Sequence, residues 1–562
     1  MKKRILQLFS LVLCCFCLIS SIPISAQAAY PIRRPAPDQE NDPNDPAAAQ
    51  NVSDTALITE QTGFDSLDFL FDGEKYFGRT TEGNASLTLS HPDGIGYLYF
   101  IFLKEYGNYT VINNDTGDRV ICGTNNFLHE IIDLQALFGG PVASVTVDFS
   151  NGPAGICEFY IYTPGYLPEY VQVWEPAKEN ETDLILFATH GDDDQLYFAG
   201  ILPYYTALDY EVLVVYLTDH RNNVQNRIHE MLNGLWAVGV KTYPVFGSFN
   251  DFFCKNLNVA YIKFEQLGTS RSDIVGFVTE QLRRYKPQVV VGHDFKGEYG
   301  HGQHMAYADC LAAALQSAQD ATQFTESAEN YGTWDVPKAY FHLYKENEIV
   351  MDWDTPMEEL DGMTPFEVTQ LLGYVQHKSQ SNSGVSTWIN GEGFSIKKAS
   401  QILTYSPCQF GLYRTTVGPD VAKNDFFENL TSYNRLQTDA FQLYLAGYHN
   451  HARQEFLKQI AAQNPQIRHW RHFGDLDPDG FLILENLRDK TGIDFHSAGM
   501  ELAYLKKYQK YSKKLNANDR KKAENLIQAG KYTDLMTYML EQDEKLEQEI
   551  ISWKEPALHH YR

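Results

Sequence analysis

The chain changes its pattern of apolar and polar residues near residue 173. Before that point, over residues 51–172, short alternating or apolar runs recur between turn sequences rich in Gly, Asn, Asp and Pro. This pattern predicts an all-β region, and its spacing favours a β-sandwich. The predicted strands are Ser86–Ser90, Tyr97–Leu103, Tyr109–Ile112, Ala143–Phe149 and Cys157–Tyr162, with His91-Pro92-Asp93-Gly94 among the predicted turns.

Beyond residue 173, apolar runs alternate with stretches that we interpret as helical. Such alternation predicts an α/β domain, a Rossmann-like parallel sheet covered by helices on both faces. Sheets of this kind bind ligands at the carboxyl ends of their strands, so the residues after each strand are site candidates. The predicted strands are Leu184–Thr189, Val212–Thr218, Tyr243–Phe246 and Gln288–Gly292, and the predicted helices include Gln225–Val238 and Ser272–Tyr285.

The first 28 residues have the features of a secretory signal peptide. Lys2, Lys3 and Arg4 precede an apolar stretch that reaches Ile24, and Ala26-Gln27-Ala28 supplies a cleavage site of small residues. We therefore predict a secreted or cell-surface protein, with an extended linker over residues 29–50. No later apolar run approaches the roughly 20 residues of a membrane helix, so no membrane span is expected after cleavage.

Composition narrows the classes of function. The 562 residues are 43% hydrophobic and carry a net charge of -26. The hydrophobic content excludes a mostly disordered chain, and the negative net charge argues against long-range electrostatic attraction to nucleic acid. The charge is uneven, because residues 431–562 hold 19 basic and 18 acidic residues while the rest is strongly acidic. Five cysteines follow the signal peptide, too sparse for a disulfide framework, and only a Cys122–Cys157 pair is left open.

Two clusters of imidazoles and carboxylates follow predicted strands. The first is His190–Asp194, and the second runs from His293 to His304. A catalytic zinc site needs three protein ligands and an open position, which two histidines and one carboxylate satisfy, while a further carboxylate can act as a base. The alternative is an acidic loop with surface histidines. Two clusters at strand ends favour the metal site.

At these residues the chain resembles the LmbE/PIG-L family of zinc-dependent N-acetylglucosamine deacetylases. His190-Gly191-Asp192-Asp193-Asp194 resembles the family's His-Pro-Asp-Asp-Glu-type motif, and Gly300-His301-Gly302-Gln303-His304 resembles its Gly-His-x-x-His motif. The resemblance covers about residues 180–427 and implies hydrolysis of the acetamide of an amino sugar. It also implies zinc ligands at His190, Asp193 and His304, a general base at Asp192, and a role for His301 in stabilising the oxyanion or protonating the leaving amine.

The resemblance has two departures and three further matches. Gly191 replaces Pro, which we expect to loosen the loop, and Asp194 replaces Glu. The segment from Arg227 to Glu230 resembles the family's Arg-x-x-Glu helix, although a simple salt bridge three residues apart explains it equally well. The segment starting at His377 resembles a late His-x-Ser-Gln motif near the metal, the alternative being an exposed polar helix end. The implied substrate residues are Arg227, His377 and His220.

The C-terminal part carries a different acidic motif. Gly474-Asp475-Leu476-Asp477-Pro478-Asp479-Gly480 follows a short apolar run, and adjacent carboxylates suit Mg²⁺ or Mn²⁺. Over about residues 428–552 the chain resembles Toprim domains and, more closely, the C-terminal domain of the nuclease subunit of Wadjet-type plasmid defence systems. That resemblance implies metal-binding acids at Glu428, Asp475 and Asp477. The alternative is a plain Asp/Pro/Gly turn, and a DNA-cutting module does not fit a secreted protein.

The N-terminal β region also has a loose resemblance, to discoidin-like, galactose-binding-type jelly rolls, which implies glycan binding or a structural spacer. We therefore predict a multidomain chain: signal peptide 1–28, linker 29–50, β-sandwich 51–172, deacetylase 173–427 and Toprim-like segment 428–562. The predicted function is a secreted zinc deacetylase acting on an N-acetylated amino sugar or a cell-surface glycan. The alternatives are a non-catalytic glycan-binding protein and a metal-dependent nuclease, with nucleic acid not expected as a partner of the secreted form.

Overall fold

The computed structural model describes residues 40–219, 225–380, 384–416, 420, 422–428, 430, 441–443 and 451–555. The predicted signal peptide and His220 lie outside these residues. The chain divides into two compact units, one of residues 1–335, 341–344 and 352–410, the other of residues 336–340, 345–351 and 411–562. Among the helices in the described part of the chain, none has the length and apolar character needed to cross a membrane.

In the first unit, residues 57–162 form two antiparallel sheets. Five strands make one sheet, in the order Leu57–Thr62, Ala85–Ile95, Val142–Phe149, Tyr109–Asn113 and Arg119–Cys122. Four strands make the other, in the order Arg79–Thr80, Gly155–Tyr162, Tyr97–Phe102 and His129–Asp133. Aromatic side chains of the two sheets contact each other, with the ring centroids of Phe100 and Phe149 5.7 Å apart. We call these residues the two-sheet region.

Three expectations for this part of the chain need correction. The predicted turn at His91-Pro92-Asp93-Gly94 lies inside the strand Ala85–Ile95, where the pairing shifts register between Ser90 and Ile95, so a bulge accommodates it. Cys122 and Cys157, the pair that the sequence left open, are both free cysteines, and they lie in different sheets. The described end of the linker is not extended away from the unit, since Ala49 is buried and its N–H donates to the carbonyl of Tyr166.

Parallel strands form the centre of the first unit. Their order is Val245–Phe249, Val212–Thr218, Leu184–Ala188 and Val289–Gly292. The last three strands are buried at every residue. Strands covered on both faces are expected to be continuously apolar, which explains why the sequence shows unbroken runs here.

Helices connect these strands. The helix Arg271–Tyr285 begins with a capping box between Ser270 and Asp273 and ends at Lys286 in the left-handed conformation. The remaining helices of this unit, apart from single 3₁₀ and π turns, are Leu134–Phe138, Asp193–Leu196, Ile201–Ala207, Gln225–Ala237, Leu257–Gln266, Gly302–Ser317, Thr325–Tyr331, Pro365–Val368 and Ser386–Asn390.

The two-sheet region packs directly against the helix Gln225–Ala237 of the same unit. The ring nitrogens His129 Nε2 and His229 Nδ1 lie 2.8 Å apart, and both residues are buried. Asn233 donates to the hydroxyl of Tyr76. These contacts join the two-sheet region to the helix as one structure, because separating them would leave buried polar groups without their hydrogen-bond partners, which costs free energy.

The second unit carries the C-terminal part of the chain. Its two short parallel strands, Trp470–His472 and Phe495–Ser497, pair with each other. The strands Lys338–His342, Glu348–Val350 and Gln409–Thr415 contribute further residues to this unit. Its helices are His451–Gln463, Pro478–Thr491, Leu502–Lys507, Ala517–Gln528, Thr533–Gln542 and Gln548–Lys554. A core that includes Leu476, Met536 and Met539 is fully buried.

Candidate metal centre

The two motifs that follow strands meet at one point of the first unit. His190 Nδ1 lies 3.2 Å from Asp193 Oδ2 and 3.1 Å from His304 Nε2, and the last two atoms are 3.3 Å apart. Ligand atoms that are bound to one tetrahedral zinc at ordinary bond lengths lie about 3.3 Å from each other. All three side chains are buried. The donor types and their spacing therefore fit a zinc ion.

The helix Gly302–Ser317 positions both histidines of the second motif. His301 is its N-cap and His304 lies in its first turn, so residues three apart share one face. His301 Nδ1 accepts from the backbone N–H of Gln303, which leaves the ring proton on Nε2. The His301 ring stacks on the His304 ring with centroids 4.7 Å apart. His301 donor atoms also lie within 4.8 Å of those of His190 and His304, a second grouping able to hold an ion.

Three residues around this centre, Glu298, His293 and His342, were given no individual role by the sequence analysis. Glu298 accepts from the Nδ1 atoms of His293, His304 and His342, at 2.8, 2.7 and 2.6 Å. Burial by itself raises the pKa of Glu298, but the three imidazoles hold that pKa well below its usual range. His293 and Glu298 were part of the second cluster, and His342 is the last residue of the strand Lys338–His342. Its position at a strand end was the signal that could have revealed it.

Asp192, the predicted general base, is buried beside the three donors. Its Oδ1 lies 2.9 Å from Arg227 Nη2. Burial raises the pKa of the Asp192 carboxyl, and the Arg227 guanidinium opposes that rise. Arg227 thus pairs with Asp192 and not with Glu230, the alternative partner that the sequence left open, and Glu230 accepts from the N–H and hydroxyl of Ser379. The helix that carries Arg227 therefore reaches the candidate base directly.

Two other sequence expectations are resolved near this helix. His377 is fully buried rather than exposed, and its ring lies against Gly234, where an added Cβ would meet Nε2 at 2.9 Å. At Gly191 an added Cβ would meet Met231 Sδ at 2.6 Å. Gly191 therefore permits close approach of the helix, and the expectation that it loosens the loop stays a prediction.

A cavity of about 300 Å³ opens onto the donor set. Asp192, Arg227 and His301 face it, as do the aromatic rings of Tyr197, Tyr299 and Phe253. The Phe253 ring is 54% exposed and parallel to the Tyr299 ring, with centroids 6.3 Å apart. The cavity thus connects the buried side chains of Asp192 and His301 with an exposed aromatic rim.

The acids predicted in the C-terminal part have other partners. Glu428 accepts from the backbone N–H groups of Ala422 and Lys423, both at 2.8 Å. Asp475 accepts from the N–H of Gln548, and Asp477 caps the helix Pro478–Thr491 by accepting from Gly480. The donor groupings compatible with a metal, within the described ranges, do not include these three acids. Their role as metal ligands stays a prediction.

Comparison with known proteins separates the chain into two familiar segments. Residues 185–315 match the PIG-L family model, described as GlcNAc-PI de-N-acetylase. Residues 425–558 match the model described as Wadjet protein JetD, C-terminal. Both resemblances expected from the sequence are therefore confirmed, and the discoidin-like resemblance stays a prediction.

Relatives of the PIG-L segment are deacetylases by name. The chain is 28% identical over 173 residues to 1D-myo-inositol 2-acetamido-2-deoxy-alpha-D-glucopyranoside deacetylase 2 of Saccharopolyspora erythraea, covering 31% of this chain and 53% of that one. It is 27% identical over 188 residues to a deacetylase of the same description from Mycobacterium leprae, covering 29% and 61%. The chain thus spans between half and two thirds of the length of these relatives.

Among solved structures, N,N'-diacetylchitobiose deacetylase from Pyrococcus horikoshii matches with a TM-score of 0.29 and 16% identity. The match covers 41% of this chain and 82% of that one.

Proposed function

We propose that this protein is a secreted, zinc-dependent deacetylase that hydrolyses the N-acetyl group of an N-acetylglucosamine-type sugar or glycoconjugate. The observation that carries the proposal is the convergence of His190 Nδ1, Asp193 Oδ2 and His304 Nε2 within 3.3 Å beside a cavity. The match of residues 185–315 to the PIG-L family supports the same reaction class. Export rests on the signal-peptide pattern of residues 1–28 alone.

The residues that hold the ion are His190, Asp193 and His304. When bound, zinc acts as a Lewis acid toward the acetamide carbonyl and toward water. Asp192 faces the same cavity and takes the proton from the attacking water, a role that suits a carboxylate whose pKa is raised by burial. Arg227 fixes the orientation of this base through the 2.9 Å contact with Oδ1.

His301 acts on the other side of the reacting carbonyl. Because Nδ1 accepts from Gln303, the neutral ring carries its proton on Nε2 and has one N–H to offer. A single N–H donor in the cavity wall stabilises the oxyanion by a hydrogen bond and keeps its proton. The proton that Asp192 took from water passes to the departing nitrogen as the C–N bond breaks, so the products are acetate and a free amino sugar and Asp192 returns to its ionised form.

The cavity also supports a sugar as the substrate. Its volume of about 300 Å³ lies at the small end of ligand pockets, which favours a single pyranose with its acetamide over a large ligand. Phe253 and Tyr299 present parallel rings at its edge, a surface on which the apolar face of a sugar packs. The two-sheet region, which we propose forms the predicted sandwich, is a candidate for binding the rest of a glycan.

The direct test is release of primary amine from a panel of N-acetylhexosamines and their oligomers by the purified, zinc-loaded chain. We expect turnover that a chelator abolishes and zinc restores. The control variant for this assay is Asp489→Asn, in which one exposed carboxylate of the second unit is removed. Absence of amine release from every N-acetylated sugar by stoichiometrically zinc-loaded protein would contradict the proposal and favour a non-catalytic glycan-binding protein.

A further inference from the structure

One buried carboxylate receives all the hydrogen bonds that a carboxylate can accept. Glu298 Oε2 accepts from His293 Nδ1 and His304 Nδ1, and Oε1 accepts from His342 Nδ1 and from the backbone N–H of Asp294. Glu298, His293, His304 and His342 are each at most 1% exposed. Four donors saturate an ionised carboxylate, so the geometry fixes Glu298 as the acceptor in every one of these bonds.

This arrangement determines which nitrogen of His304 is free. Because Glu298 can only accept, His304 must donate from Nδ1, and its Nε2 keeps a lone pair directed at His190 and Asp193. Histidines that bind metal usually donate their other N–H to a carboxylate or carbonyl in this way. Glu298 thus selects the ring form that the donor set requires.

The same carboxylate reaches the first motif through His293. The Nε2 atom of His293 accepts from the backbone N–H of Thr189 at 3.0 Å, the residue before His190. That acceptor role requires the His293 proton on Nδ1, where Glu298 holds it. A chain of hydrogen bonds therefore runs from Glu298 to the backbone of the loop that carries His190.

His342 anchors the carboxylate from the opposite side. Its Nδ1 faces Glu298 and its Nε2 faces the carbonyl of Ser406 at 2.9 Å, so both ring nitrogens face acceptors. His342 is thereby held between Glu298 and the Ser406 carbonyl, and its Nδ1 atom stays against the carboxylate.

We propose that Glu298 is the positioning residue of the candidate metal centre, acting on His304 directly and on the His190 loop through His293. The inference rests on the proposed zinc site. It concerns a residue outside both motifs that carry the family resemblance, and it explains why three imidazoles converge on one acid. Glu298 does not face the cavity, so it acts only through the residues it holds.

The test compares Glu298→Gln with Glu230→Gln in the full chain. A glutamine amide offers one acceptor oxygen and an NH₂ group that only donates, so Glu298→Gln must break or reverse at least one imidazole bond. We expect zinc affinity, measured by chelator competition, to fall about 10- to 100-fold, the usual cost of losing an outer partner of a metal ligand. Glu230 is an equally buried acid whose hydrogen bonds, among the residues that the structure describes, come from Ser379 and Asn226, so Glu230→Gln is expected to keep wild-type zinc affinity.

Two outcomes overturn this inference, and in both of them the protein still binds zinc, as the proposed function requires. The first is a folded Glu298→Gln protein, judged by circular dichroism, that binds zinc as tightly as wild type. The second needs no variant: a zinc-loaded crystal structure with the ion on His304 Nδ1 instead of Nε2. Failure of the wild type to bind zinc at all would instead overturn the proposed function.

Discussion

Two acidic motifs of this chain look alike in sequence and differ in their surroundings. His190–Asp194 follows the strand Leu184–Ala188, and Asp475–Gly480 follows the strand Trp470–His472. In the first motif Asp193 Oδ2 lies 3.2 Å from Nδ1 of His190 in the same motif and 3.3 Å from Nε2 of His304, which belongs to the second cluster. In the second motif Asp475 and Asp477 are engaged by backbone N–H groups, and Asp477 Oδ2 also lies 3.4 Å from Lys545 Nζ.

The difference shows what turns an acidic loop into a candidate metal centre. Neutral imidazoles offer lone pairs without adding charge, so a carboxylate among them remains available to a cation. In the C-terminal motif the Lys545 ammonium already sits between two carboxylates, 3.4 Å from Asp477 and 3.2 Å from Asp519. A fixed cation and helix capping satisfy those acids, whereas Asp193 Oδ2 of the first motif faces the ring nitrogens of His190 and His304.

The largest effect is expected at His304. Its replacement by Ala removes one of three donors, and we expect zinc affinity to fall by more than about 100-fold, since losing only an outer partner costs 10- to 100-fold. Elemental analysis after dialysis checks this. His496→Ala, which removes a 60% exposed side chain, is the control. If the His304→Ala variant held as much zinc as the wild type, His304 would not be a zinc ligand, and the contrast between the two motifs would fail.

The next effect concerns the base. Asp192→Asn keeps the size of the side chain and its contact with Arg227 but cannot take a proton. We expect it to retain zinc and to lose about 10²- to 10⁴-fold in kcat, the usual contribution of a positioned base. Steady-state amine release against zinc content measures both quantities. Unchanged turnover would remove Asp192 from this role.

A smaller effect is expected in the C-terminal motif. Asp477→Ala removes the N-cap of the helix Pro478–Thr491, which costs about 1 kcal/mol of unfolding free energy. Thermal unfolding should show a lower midpoint for the second unit with no change in zinc content. Loss of a bound divalent ion in this variant would show that the C-terminal acids form a metal site after all.

The smallest effect is an absence of activity. We predict that the purified full chain does not nick plasmid DNA in Mg²⁺ or Mn²⁺, because its net charge of -26 disfavours long-range attraction to phosphates. Gel electrophoresis of supercoiled plasmid is the assay. Nicking that disappears in Asp475→Ala would contradict the prediction and assign a nuclease to the segment that matches JetD.

The sequence was most informative where burial is complete on both faces. The strand Val212–Thr218 was predicted with its observed bounds, because a strand buried on both faces is an unbroken apolar run. That His190 and His304 come together after the carboxyl ends of two strands followed from the same rule about parallel sheets.

The sequence was least informative about contacts between distant segments. Nothing local marks the pairing of His129 with His229, which lie 100 residues apart in the chain. The role of Glu298 depends on His342, 44 residues away, and is visible only after folding. The composition of a turn is present at His91-Pro92-Asp93-Gly94, yet the strand pairs with its neighbour before and after this segment, which therefore forms a bulge.

The most direct measurement is anomalous diffraction at the zinc edge from crystals of the full chain grown with zinc. The proposed function predicts a single strong peak within bonding distance of His190 Nδ1, Asp193 Oδ2 and His304 Nε2. A peak at Asp475 and Asp477 with none at these three atoms would contradict it.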